Sequence, residues 1–159
     1  MENPIRRFRS IEKEMMIVRL AREEDLPQLI SILSQLNPRA KRCDLEKARQ
    51  VFRELSRSGQ QFLMVCEIDG KIVGTAELVI KYNLTHGGRP YGFIENVVVD
   101  KGNRGKGVGA KLMESCIRIA REKGCYKLVL TCKDELVEWY GKFGFREFGE
   151  KALRLDLEE

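Results

Sequence analysis

Asp100 to Leu112 reads DKGNRGKGVGAKL, with glycines at 102, 105, 107 and 109. It separates the strand-like run FIENVVV from a segment with helical spacing that begins VGAKLMESC. A glycine-rich turn in that position can hold a phosphate group. Its successive backbone N–H groups, and those of the unpaired first helical turn, point at the anion, and the helix dipole favours negative charge there. Glycine lets the backbone approach without a Cβ in the way. Two phosphate-loop patterns fit poorly. A nucleoside-triphosphate loop needs GxxxxGK followed by Ser or Thr to bind magnesium, but Gly107 follows Lys106 here, and Asp100 stands where the first glycine belongs. The dinucleotide pattern GxGxxA is met by Gly105, Gly107 and Ala110, yet DKGNR separates it from the strand, and the fifty residues after Gly109 are too few for the remaining strands of that fold.

A third pattern, Arg/Gln-x-x-Gly-x-Gly/Ala, is met by Arg104, Gly107 and Gly109. It describes a coenzyme A pyrophosphate cradle built from Arg104, Gly105, Lys106, Gly107, Val108 and Gly109, with Arg104 and Lys106 adding positive charge. On its own the pattern is weak, because any strand–turn–helix junction can hold several glycines.

Glu95 is the next group that could do chemistry. In FIENVVV, strict alternation puts Phe93, Glu95, Val97 and Val99 on one strand face, so a carboxylate stands on an otherwise apolar surface. Such a group is costly unless it is paired, hydrated or functional. It serves either as a ligand and proton acceptor for an ammonium group or in a structural ion pair with Arg89 or a helix-borne arginine. His86 is the only histidine, which excludes a multi-histidine metal site, and its place in THGGRP points to a structural or substrate-side role. Cys43, Cys66, Cys116, Cys125 and Cys132 show no CxxC pair and no metal-ligand spacing. Together with the lack of a signal peptide or long apolar run, this leads us to expect a reduced, cytoplasmic protein with no membrane association.

These groups must be positioned by one domain. The chain has 159 residues, 43% hydrophobic and 33% charged, which suits a single core spanning 1–159. The N-terminal segment 1–14, with its basic IRRFRS, is set apart as flexible or accessory. The net charge of +5 is spread among 24 acidic residues and decides nothing by itself. MIVRL (16–20) reads as a strand. AREEDLPQLISILSQL then reads as a helix with Leu26, Leu29, Ile30, Leu33 and Leu36 on its core stripe, and LEKARQVFRELSRSG as a second helix capped by Asp44. QFLMVCEI and KIVGTAELVIKY form a hairpin about Asp69-Gly70, and YGFIENVVVD follows as a third antiparallel run. After the long helix come a buried strand KLVLTC, a short helix DELVEWYGKFG, and a weak strand pair from FREFGE and ALRLDLEE. The order β-α-α-β-β-β-α-β-α-β-β is an α/β arrangement of the α+β mixed type, with helices on both faces of a mixed sheet. It is not a doubly wound fold.

IENVVV, RGKGVG, GCYKLVL and VEWYGKFGF, taken together, resemble the GCN5-related N-acetyltransferase (GNAT) superfamily, and within it the glucosamine-6-phosphate N-acetyltransferase-like members. The resemblance covers nearly the whole chain. It implies a partly splayed sheet, acetyl-CoA as co-substrate without a metal, and direct transfer of acetyl to a small-molecule amine. It also implies that the backbone of Val97, Val98 and Val99 pairs with the pantetheine arm, that Tyr140 protonates the departing thiolate, and that Glu95 handles the amine. Thr131, Asn96 and Leu136 depart from the sugar-phosphate pattern, which tends to carry an acidic residue, an Asp and an Asn at those positions. Cys132 is expected to be inert packing in a buried strand, which argues against a covalent route. A homodimer built through the C-terminal strands follows from the same resemblance. The acceptor the resemblance implies is an amino-sugar phosphate such as glucosamine 6-phosphate; the alternatives are an acetyltransferase acting on another small amine or a protein amine, or a non-catalytic acetyl-CoA-binding regulatory module. Nucleic-acid binding is not expected because no recognisable motif supports it.

Overall fold

The computed structural model describes residues 15–157, so IRRFRS lies outside the described residues. Within them, one sheet has the order β1-β2-β3-β4-β5. Strands β1 (Met16–Leu20), β2 (Gln61–Ile68), β3 (Lys71–Lys81) and β4 (Tyr91–Val99) are antiparallel in turn, and β5 (Leu128–Val129) joins β4 in parallel. Helices α1 (Leu26–Leu33) and α2 (Leu45–Ser58) precede β2; α3 (Val108–Glu122) links β4 to β5, and α4 (Val137–Gly141) follows β5. Asp69 and Gly70 take positive φ at the β2–β3 turn, as a tight hairpin requires.

The two sheet faces carry separate cores. Leu26, Leu29 and Ile32 of α1 and Ala48 of α2 pack on Val65, Ile72 and Val98. On the other face Val108, Leu112, Met113, Cys116 and Ala120 of α3 pack with Tyr140 on Met64, Leu78, Ile80 and Ile94. The α3 residues recur at helical spacing, and burying each large side chain contributes roughly 1.5–3 kcal/mol. Asp44 caps α2 by accepting from the Lys47 N–H at 2.9 Å, and Gly59 ends it in the left-handed conformation. Arg19 ties β1 to the next turn and to β2, donating to both oxygens of Asp25 and to Glu67 at 2.7–3.1 Å. Burial pushes the Asp25 carboxyl up, but Arg19 and the Arg22 N–H outweigh that and hold it below its ordinary value.

Four expectations need correction. The first helix is shorter than its apolar pattern: Pro27 stands in its first turn, and Glu23–Asp25 form a 3-10 turn ahead of it. Within it Ile32 is buried more deeply than Ile30 or Leu33, and the chain leaves helical phase after Leu33, so Leu36 is exposed. Only Leu128 and Val129 of KLVLTC pair with β4, because the two strands diverge beyond them. Cys132 is therefore exposed rather than packed in a strand. FREFGE and ALRLDLEE form no strand among the described residues. Leu153, Leu155 and Leu157 stand 83–93% exposed, so their alternation has no partner edge within the described chain.

Candidate active site

The site begins with an irregularity in β4. Glu77 of β3 lies opposite Glu95, but Thr75 lies opposite Val98, so three residues of β4 span two of β3. The extra residue is accommodated at Asn96, whose φ is 51°. Asn tolerates the left-handed region that such a bulge uses. The bulge inverts the alternation: Ile94 belongs to the α3-side core, Val98 to the α1-side core, and Val97 and Val99 pack on the α3 side. Glu95 therefore does not share a face with Val97 and Val99, which corrects the expectation from strict alternation. It stands exposed in a row with Tyr91 and Phe93, opposite Glu77. Among the described residues it makes no ion pair, with Arg89 or otherwise. The Asn96 Nδ2 donates to Glu77 Oε2 at 3.0 Å.

The same strand opens the sheet. The β4–β5 ladder stops at Phe93 opposite Val129, and beyond it the outer edge of β4 has no ladder partner among the described residues. The Asp100 N–H donates inward to the Val73 carbonyl, so strand alternation turns the amides and carbonyls of Val97 and Val99 outward, toward the opening. Arg104 folds back and donates Nε to the Val99 carbonyl at 3.1 Å. It thus lies along the strand end, at the edge of the cleft over the glycine turn.

That turn has the shape of a cradle. Gly105 and Gly107 take positive φ, and Gly107 is the N-cap of α3. The amides of Val108, Gly109 and Ala110 then form the helix's first turn, where N–H groups have no intrahelical partner. A Cβ on Gly105 or Gly107 would meet nothing within 4 Å, whereas one on Gly109 would come within 3.1 Å of the Trp139 ring. Trp139, Leu136 and Val99 wall a cleft over these glycines. Diphosphate and pantetheine fit this lining: amides for the anion, an open strand edge for the amide-bearing arm, and apolar walls beside it.

Tyr140 follows Trp139 in α4 and lies in the α3-side core behind that cleft wall. It is 7% exposed and stacks edge-on with Trp139 and Phe145, at centroid distances of 4.8 and 6.2 Å. Burial pushes its phenol up from the ordinary value, and the neighbouring Cys132 adds to that.

A second cluster is absent from the sequence reading. At the start of β4, Lys81 and Lys127 place their ammonium groups 5.5 and 5.2 Å from the Tyr91 ring centroid. Lys127 also lies 5.6 Å from the Tyr126 ring, on which His86 stacks at 4.1 Å. Lys81 lies opposite Tyr91, as Glu77 lies opposite Glu95. One open face of the sheet thus runs from cations to carboxylates over four residues, or about 13 Å. Only the β3–β4 register could have revealed this row, and the nine-residue loop 82–90 and the bulge hide that register from the sequence. Among the described residues there is no group of His, Cys, Asp and Glu able to hold a metal ion, and no helix is long and apolar enough to cross a membrane.

A sheet that splays at one strand, a glycine cradle at that strand's end and a buried phenol beside it define a class, the coenzyme A-dependent acyltransferases. Residues 26–145 match the acetyltransferase (GNAT) family, and the chain belongs to that family. It is 37% identical over 141 residues, 88% of this chain and 95% of the relative, to glucosamine 6-phosphate N-acetyltransferase of Trypanosoma brucei brucei. It is 34% identical over 125 residues, 76% of this chain and 75% of the relative, to a probable glucosamine 6-phosphate N-acetyltransferase of Oryza sativa subsp. japonica. The crystal structure of glucosamine-6-phosphate N-acetyltransferase from Arabidopsis thaliana superposes with a TM-score of 0.84 at 28% identity, covering 89% of this chain and 99% of that one. The chain is an N-acetyltransferase with acetyl-CoA as its co-substrate.

Proposed function

We propose that the acceptor is an amino-sugar phosphate such as glucosamine 6-phosphate, acetylated directly on its primary amine. The observation that carries this is the row from Lys81 and Lys127 to Glu77 and Glu95, a surface with a cationic end for a phosphate and an anionic end for an ammonium. Its anionic end lies beside the open edge of β4, where the thioester would lie. The names of the relatives favour the same acceptor. Asn96, which departs from the acidic residue of the sugar-phosphate pattern, holds Glu77, so β3 supplies a second carboxylate in its place.

In this reading the amides of Gly105, Gly107, Val108 and Gly109 hold the diphosphate, with Arg104 and Lys106 contributing charge. The backbone of Val97, Val98 and Val99 aligns the pantetheine arm as an added strand would, and the Val97 N–H polarises the thioester carbonyl. Glu95 orients the ammonium and accepts its proton through water, because only the neutral amine is a nucleophile. Tyr140 donates its proton to the departing thiolate; its raised pKa keeps it protonated throughout the neutral range. Transfer is direct, and the exposed Cys132 takes no covalent part.

The chain works as a homodimer in a reducing, cytoplasmic setting. Supporting this are the exposed leucines of the tail, the position of β5 at the edge of the sheet, and five free thiols. The test is thiol release from acetyl-CoA over a panel of amines, with mass determined by light scattering. Glucosamine 6-phosphate should exceed glucosamine, polyamines and peptide amines in kcat/KM. Preference for another amine would overturn the acceptor assignment, and stabilisation by coenzyme A without any thiol release would favour a sensor. A monomeric mass would remove the dimer.

A further inference from the structure

The α1–α2 side of the molecule touches the cofactor turn through one side-chain hydrogen bond among the described residues. Gln35, in the turn after α1, donates Nε2 to Asp100 Oδ1 at 2.9 Å. The other oxygen of Asp100 accepts from the Gly102 N–H at 3.2 Å and from Asn103 Nδ2 at 3.1 Å. The Asn103 Oδ1 accepts in turn from Lys106 Nζ at 3.3 Å. Gln35, Asp100, Asn103 and Lys106 thus form a relay from the end of α1 into the glycine cradle. Each amide in it is oriented by the next group, since a carboxylate can only accept and an ammonium can only donate.

The orientation of Gln35 comes at a loss elsewhere. With Nε2 committed to Asp100, its Oε1 is buried and has no hydrogen-bond partner among the described residues. Turning the amide over would place that oxygen against the Asp100 carboxylate, so the arrangement is locked. A buried carbonyl left unpaired weakens the fold. Stability alone would prefer an apolar side chain of the same shape here, and a residue kept against stability at the rim of a site points to a role in that site.

We propose that Gln35 is a positioning residue for acetyl-CoA: through Asp100 and Asn103 it sets the turn that presents Lys106 and the cradle amides to the diphosphate, without touching the co-substrate itself. The inference rests on 104–109 being the coenzyme A cradle, and stabilisation of the unaltered protein by coenzyme A checks that separately.

Gln35→Met is the decisive variant, because it keeps length and removes both polar atoms. It should melt at or above the temperature of the parent protein. Its KM for acetyl-CoA should rise about three- to tenfold, with kcat within about twofold, the pattern of lost ground-state binding. Combined with Asp100→Ala, or with Asn103→Ala if that protein does not fold, it should add nothing further to the acetyl-CoA KM, since all act through one chain. Gln35→Lys, which restores a donor toward Asp100, should recover most of the affinity. An unchanged acetyl-CoA KM in Gln35→Met, a lower melting temperature with unchanged kinetics, or multiplicative effects in the double variant would each overturn the proposal.

Discussion

The proposed donor edge and the proposed acceptor rim lie on the same strand, β4, and are built by opposite means. On the donor side the functional atoms are backbone: the outward amides of Val97 and Val99, the turn through Gly105 and Gly107, and the first amides of α3. On the acceptor side they are side chains gathered from β3, β4 and the segments flanking β5: Glu77, Lys81, Tyr91, Glu95 and Lys127. The bulge at Asn96 divides the two. It turns Val97 and Val99 toward the α3 side and leaves Glu95 on the other face. A backbone site tolerates changes of side chain so long as φ and the space for Cβ are kept. A side-chain site can be rewritten one residue at a time, which is how one fold comes to serve many amines.

The largest expected effect belongs to neither side alone. Tyr140 is the proposed proton donor to the thiolate, so Tyr140→Phe should lower kcat about 100-fold while coenzyme A affinity stays within about twofold. Steady-state kinetics together with a coenzyme A titration separate the two. Because burial raises the phenol's pKa, the parent enzyme should keep its proton donor above the ordinary phenol range, and the alkaline fall in kcat should sit correspondingly high. A kcat unchanged in Tyr140→Phe would remove the phenol from the chemistry and leave the backbone edge as the whole of the donor machinery.

A smaller effect tests the donor side by itself. The Gly109 Cα faces the Trp139 ring, and any Cβ would come within 3.1 Å of it. Gly109→Val must displace the indole that walls the cleft, which should raise the KM for acetyl-CoA roughly tenfold. The acceptor KM should not move. If both KM values rise together, the two halves are one coupled pocket and the contrast between them fails.

The difference between the halves also decides what could be read in the sequence. Strand and helix order as far as α4, the hairpin at Asp69-Gly70, the helical spacing from Val108 and the glycine turn are local patterns of period or composition, and the structure reproduces them. Alternation singles out Glu95 but puts it on the wrong face, because a bulge adds a residue without any change of composition; the only local sign is an Asn, which tolerates positive φ. Glu77 and Lys81 carry no local signal, because their meaning lies in which β4 residue each one faces. Lys127 and Tyr126 precede a two-residue strand whose parallel partner is far away in the chain. The tail leucines alternate as a strand should, yet alternation states only that a strand is possible and not whose edge it joins.

The smallest effect is the most specific to the acceptor. Lys81 and Lys127 are exposed, so each contributes only about 0.5 kcal/mol to holding a phosphate, and the pair together about fivefold in KM. The double change Lys81→Ala and Lys127→Ala should therefore raise the KM for glucosamine 6-phosphate about fivefold and leave that for unphosphorylated glucosamine and for acetyl-CoA where they were. Added salt should shrink the difference, since screening weakens exposed charges first. Comparing the phosphorylated and unphosphorylated sugars in the same variant removes any general loss of folding from the measurement. Equal losses for both would mean that the lysines support the Tyr91 and Tyr126 rings rather than a phosphate, and the cationic end of the row would then be structural. The acceptor would have to be sought among amines without a phosphate, recognised by Glu77 and Glu95 alone.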